Sequence, residues 1–371
     1  MSEKFTPSRL KLARTRRQLT LKALADKVNM SARMVSEYEK EYCTHEPLQE
    51  TIEALSKALN YPSSFFLDPE PIETVSKESV SFRSLKSMKA AQEHAAIGAG
   101  QIGVMINEYF ENRFSLPISN LPNYRDIEPA IAADALRQEW GLGTLSIGNM
   151  IHLMEKNGVR VFSLAENTQS VDAFSFWKDD IPYVYLNTQK SGERSRFDAA
   201  HELGHLLLHR HGTPQGKDVE MEADRFASSL LMPKVTVLPY KNQHITIESI
   251  LSLKANWKVS AMALIVQMKN VGVITEWQYK TLIITASKLG LRTTEINGIQ
   301  REKSLIIEKL LQNLAAEGIT IQKLASALKL PLDEVSSLLF SIGLINTSRN
   351  RNASLNKVIF QNPKTQLRVV K

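Results

Sequence analysis

Cysteine is almost missing from this 371-residue chain, with Cys43 standing alone. One thiol closes no intrachain disulfide, and it excludes a cysteine-rich zinc site, which needs several thiolates. A reducing, cytoplasmic location is therefore expected. Long apolar runs are missing too: no stretch approaches the roughly 18 residues a membrane span requires. The opening MSEKFTPSRLKLARTRRQ carries charge throughout and has no apolar core, so neither a secretion signal nor membrane insertion is expected. Nor is there an excess of acid. Lys plus Arg outnumber Asp plus Glu by 46 to 39, a net charge of +7, which favours an anionic partner, nucleic acid before a membrane surface.

What remains is the composition of a soluble globular protein, 43% hydrophobic and 23% charged. At about 150 residues per domain the length suggests two to four domains. Apolar positions recur at helical spacing through residues 7 to 67 (Leu10, Leu12, Ala13; Leu21, Leu24, Ala25, Val28; Met34, Val35, Tyr38; Ile52, Leu55, Leu59), which predicts four or five short helices. Thr20 and Ser31 stand at N-cap positions, and VNM supplies a turn between the second and third helices. DPEPIETVSKESV (68 to 80) reads as a linker, and 68–125 as linker and helical connector. In 126–290, GVRVFSL, DAFSFW and PYVYLN have strand composition and length, predicting a small antiparallel sheet beside helices. Residues 291–371 read as a helical region that repeats the helix, turn, helix rhythm of the N-terminus, followed by a basic tail. The fold class expected is α+β, multidomain and mostly helical.

Chemistry concentrates in AHELGHLLLH, residues 200 to 209. A helix turns 100° per residue, so His201 and His205 lie about 40° apart and roughly 6 Å along the axis, close enough to share one metal ion. Glu202 falls beside that ion, where a general base takes a proton from water that the cation acidifies to a pKa near ~7. His209 lies about 12 Å of rise from His201 and is excluded as third ligand. EMEADRFASSLLMP (220 to 233) reads as a second helix whose Glu220 supplies the third ligand while Asp224, four residues on, fixes a ligand histidine's tautomer; Glu222 points elsewhere. A His, His, Glu set accepts Zn2+ and also Mn2+.

RFDAAHELGHLLLH followed by EMEADRFASSLLMP resembles the ImmA/IrrE type of metallopeptidase, a likeness that extends upstream through VDAFSFW and PYVYLN and covers roughly residues 126 to 290. It implies a zincin-like, gluzincin-type site with His201, His205 and Glu220 on zinc and Glu202 as base. Members of that family cleave DNA-bound repressors of the XRE type, which implies a protein substrate.

TLKALADKVNMSARMVSEYEK (20 to 40) has helix-turn-helix spacing and looks like an XRE/Cro-type domain within residues 1–67, with a five-helix architecture. In such a module the second helix enters the major groove of double-stranded DNA by its N-terminal end, so Ser31, Arg33, Ser36 and Glu37 should face bases, and Arg14, Arg17 and Lys40 phosphates. The glycine this family often carries after the last helical glutamate is missing. The alternative is a small bundle for dimerisation or partner binding.

GAGQIG (98 to 103) satisfies a nucleotide-binding pattern but follows no strand, and close helix packing explains its glycines better. His209, His211 and Tyr240 are candidates for stabilising an oxyanion but read as structural, and Trp257, Trp277 and Leu264 as core. The expectation is a homodimeric, DNA-binding transcriptional or stress-response regulator with a zinc-dependent endopeptidase domain. The alternative is a non-proteolytic, antitoxin-like repressor that senses a metal or partner, in phage defence or on a mobile element.

Overall fold

The computed structural model describes residues 4–42, 45–72, 80–82, 89–164, 173–210 and 216–341; Cys43, His211, most of the 68–80 segment and the tail after 346 lie outside them. Five helices open the chain: α1 (Pro7–Arg16), α2 (Leu21–Lys27), α3 (Ala32–Tyr38), α4 (Gln49–Leu59) and α5 (Ser63–Phe66). Their periodic residues Leu10, Leu24, Val35, Leu55 and Leu59 are wholly buried. The Thr20 hydroxyl accepts from Ala23 N–H and that of Ser31 from Met34 N–H, each satisfying an amide a helix start leaves open. Asn29, at φ 53°, makes the turn between α2 and α3.

A mostly helical body with one small sheet follows. The strands are β1 (Ser81–Phe82), β2 (Arg160–Leu164), β3 (Ala173–Lys178) and β4 (Ile181–Asn187); β1 is preceded by α5 and followed by α6 (Ala90–Glu111), α7 (Pro129–Glu139) and α8 (Met150–Lys156). Sheet order is β1-β3-β4-β2. The expected all-antiparallel sheet needs correction: β3 pairs antiparallel with β1 and β4, but β2 runs parallel to β4. Only β3 and β4 share a tight turn, at Asp179 and Asp180 with φ 49° and 60°, whereas β2 reaches β4's far side by a longer connection.

The stretch read as linker and connector also contributes to this sheet. It supplies β1, and α6 lies across the face formed by Phe174, Phe176, Tyr183 and Tyr185, whose rings stack. The GAGQIG glycines make the approach possible: a Cβ at Gly100 would stand 3.1 Å from Phe176, and one at Gly103 2.1 Å from the Tyr185 hydroxyl.

On the opposite face lies α9 (Gly192–Leu208), against which α10 (Lys217–Leu231) packs. Then come α11 (Lys234–Val237), α12 (Ile247–Trp257), α13 (Ala261–Asn270) and α14 (Glu276–Lys288). Trp257 and Leu264 are buried as expected, but Trp277 is 74% exposed. On α14 the inward stripe is Leu282 and Ala286, and Trp277 falls on the far side of the helix.

The chain closes with α15 (Leu305–Ala316), α16 (Ile321–Ala327) and α17 (Leu332–Leu338). The turn of α2 and α3 is repeated 300 positions later. Thr320 caps α16 as Thr20 caps α2, Lys329 takes φ 55° as Asn29 takes 53°, and Val335 is buried as Val35 is. The two copies face differently. The first turn of α3 is exposed, whereas Glu334 on α17 is buried against α1, where it pairs with Arg16 and accepts from Tyr61. Among the described residues no helix is long and apolar enough to cross a membrane.

Candidate metal centre

His201 and His205 lie one turn apart on α9 and direct their Nε2 atoms at each other, 3.0 Å apart. Glu220, from α10, sets its Oε2 3.4 Å from His201 Nε2 and its Oε1 3.4 Å from His205 Nε2. The three ligand atoms lie within 4.8 Å of one another. Gly204 on α9 permits this proximity, since a Cβ there would come within 3.0 Å of Phe226 and 3.4 Å of Ala223 on α10.

The remaining ring nitrogens fix which atoms face the centre. His201 Nδ1 lies 2.8 Å from Asp224 Oδ1, and a carboxylate only accepts, so that nitrogen carries the proton and Nε2 the lone pair. His209 Nε2 lies 2.9 Å from Glu222 Oε2 and is protonated for the same reason. Its Nδ1, 3.1 Å from His205 Nδ1, then accepts from that ring and leaves His205 Nε2 as a second lone pair. Two lone pairs and a carboxylate converging on one point repel each other unless a cation stands between them, so the donor set fits a divalent ion. Glu222, read from sequence as pointing away from the metal position, bonds His209 through its carboxylate.

Burial shapes the electrostatics. His201, His205 and Glu202 are buried, but Glu220 is 26% and Asp224 52% exposed along their side chains, so the centre is closed on the α9 side and open towards α10. Burial pushes the His205 imidazole down to about 4, favouring its neutral, metal-binding form.

Glu202 sits beside the pair, and the Ser175 hydroxyl of β3 donates to its Oε2 at 2.7 Å. Sequence reasoning missed Ser175. Strand alternation contained the signal: Phe174 and Phe176 face α6, so Ser175 points to α9, a polar residue on an otherwise apolar face. Tyr240 packs edge-on against Trp257, its ring centroid 6.1 Å away.

On the N-terminal module, Ser31 and Arg33 are exposed at the start of α3, Ser36 and Glu37 are half-buried in its second half, and Lys40 is exposed just beyond it. Glu37 and Lys40 pair at 2.6 Å. Arg14 and Arg17, expected at phosphates, are half-buried and paired within the protein. Arg14 forks onto both carboxylate oxygens of Glu39 at 2.5 and 2.7 Å. Arg17 donates to the Leu59 and Asn60 carbonyls and pairs with Asp333 and Glu334 of α17.

Comparison with known proteins agrees with both parts. Residues 154–269 match the family model for the IrrE N-terminal-like domain (peptidase M78), and residues 10–66 match a helix-turn-helix family. The chain is 36% identical over 77 residues to the "Uncharacterized immunity region protein 2" of Bacillus phage phi105, over 18% of this chain and 49% of the relative; it thus spans about half that protein's length. The chain therefore carries a helix-turn-helix domain and, downstream of it, an IrrE-like domain of the metallopeptidase M78 type.

Proposed function

We propose that this protein is a DNA-bound regulator whose metallopeptidase domain cuts a repressor-type protein, with His201, His205 and Glu220 holding one Zn2+ ion and Glu202 acting as general base. The observation that carries this reading is the convergence of both histidine Nε2 atoms and the Glu220 carboxylate beside the buried Glu202. A divalent cation held there supplies a Lewis acid that polarises a peptide carbonyl and acidifies water. Asp224 and the His209–Glu222 pair keep the two imidazoles in the tautomer that presents Nε2. Ser175 fixes one oxygen of Glu202, so the carboxylate is oriented to take a proton from the attacking water and return it to the leaving amine. Mn2+ fits the same donor set, and cellular supply decides between the ions.

The exposed start of α3 supports double-stranded DNA as partner, with Ser31, Arg33, Ser36 and Glu37 over the bases, Lys40 near the backbone, and a homodimer spanning two half-sites. The relative's name, an immunity region protein of a phage, supports a repressor of a mobile element as substrate.

Comparing the proteomes of cells that express the wild type or the Glu202→Gln chain tests this. Truncated fragments of at least one regulator should appear with the wild type alone. Identical proteomes, with both chains loaded with metal, would instead establish a non-proteolytic sensor.

A further inference from the structure

The sheet edge beside Glu202 is already occupied. β3 carries Ser175, the residue bonded to Glu202, and has β4 on one edge. On its other edge lies β1, antiparallel, with Ser81 opposite Ser175 and Phe82 opposite Phe174. Directly opposed residues of an antiparallel pair share a face, so the Ser81 side chain lies on the α9 side with that of Ser175, one strand spacing of ~4.8 Å away. Ser81 is 2% exposed, Val80 is fully buried, and the Ser81 hydroxyl finds no hydrogen-bond partner among the described residues.

Two residues of strand contribute little to sheet stability by themselves, and this pair stands apart from the β2 to β4 unit, in the stretch between α5 and α6. A short extended segment laid on an exposed sheet edge is how many proteins bind peptides, through main-chain hydrogen bonds along the edge. Here such a segment lies next to the candidate base.

We propose that Val80–Phe82 is a tethered occupant of the β3 edge beside Glu202, which an extended protein segment must displace before it is cleaved. This rests on the peptidase reading of the site. It specifies the substrate class: a segment that adopts β conformation and carries a small residue where Ser81 sits, because that position is enclosed. Being on the same chain, the occupant competes at an effective concentration on the order of millimolar, so weak pairing suffices to hold the edge. It also places the guard in the stretch that joins the DNA-binding module to the sheet.

The test uses the full-length, zinc-loaded Glu202→Gln chain and a fluorescent peptide KESVSFRSL, the chain's own residues 77 to 85, read by anisotropy. The double variant S81P/F82P removes whichever backbone N–H points to β3. It should bind the peptide about tenfold or more tightly than the chain with native β1. In the opposite direction, a Ser81→Cys/Ser175→Cys chain with Cys43→Ser should close a disulfide on oxidation, lose peptide binding, and regain it on reduction.

Unchanged affinity in a folded S81P/F82P chain would overturn the proposal, as would equal binding by the oxidised and reduced locked chains, or failure of the disulfide to form. Should S81P/F82P not fold, the locked chain decides alone. Metal content and wild-type cleavage are read separately. Their failure would remove the peptidase reading, whereas competition at the β3 edge is measured by binding and stands or falls independently.

Discussion

Each histidine of the centre has its own orienting acid, Asp224 directly for His201 and Glu222 through His209 for His205. Such supports hold a ring in one tautomer and raise its basicity, and their loss costs typically ten- to a hundredfold in metal affinity. Zn2+ affinity measured by chelator competition should fall by that range in Glu222→Ala and equally in His209→Ala. The double variant should lose no more than either single change, because both interrupt one chain of hydrogen bonds. An unchanged affinity in both single variants would make the His209–Glu222 pair a surface contact only.

Among the elements, one helix-turn-helix geometry occurs twice and is used in two ways. In the first copy the start of α3 is exposed; in the second, Glu334 of α17 is buried against Arg16 of α1, and the Ser163 hydroxyl of β2 donates to the Ser337 carbonyl. α17 thereby ties the N-terminal module to the body. Removing one partner of a buried ion pair leaves an uncompensated charge, so Glu334→Ala should cost roughly 3–5 kcal/mol in denaturant unfolding. Asp333→Ala, on the exposed neighbour, should cost under about 1 kcal/mol. Equal effects would mean that the buried pair is not what joins the two parts. The rhythm of both copies was legible in the apolar spacing, and that of the first also in Thr20 and Ser31, because caps and helical periods are local. Which copy is exposed was not, because Arg16 and Glu334 lie 318 positions apart. The same distance effect hid the mixed sheet, β1, and the pairing of Arg17 with α17.

At the scale of the whole molecule, a helix-turn-helix module, a short strand and a candidate metal centre lie along one chain. The candidate centre was largely legible because HELGH places His201, Glu202 and His205 within about one helical turn. Glu220 and Asp224 followed from four-residue spacing on the next helix. Ser175 and the partnership of His209 with Glu222 needed the tertiary packing of α9 on β3 and α10. The central claim is that one divalent cation is held by His201, His205 and Glu220, and elemental analysis of the purified full-length chain tests it most directly. The account predicts one equivalent of zinc or manganese per chain, lost in His205→Ala and Glu220→Ala while the fold persists. Absence of stoichiometric metal from the wild type, or its retention in both variants, would contradict it.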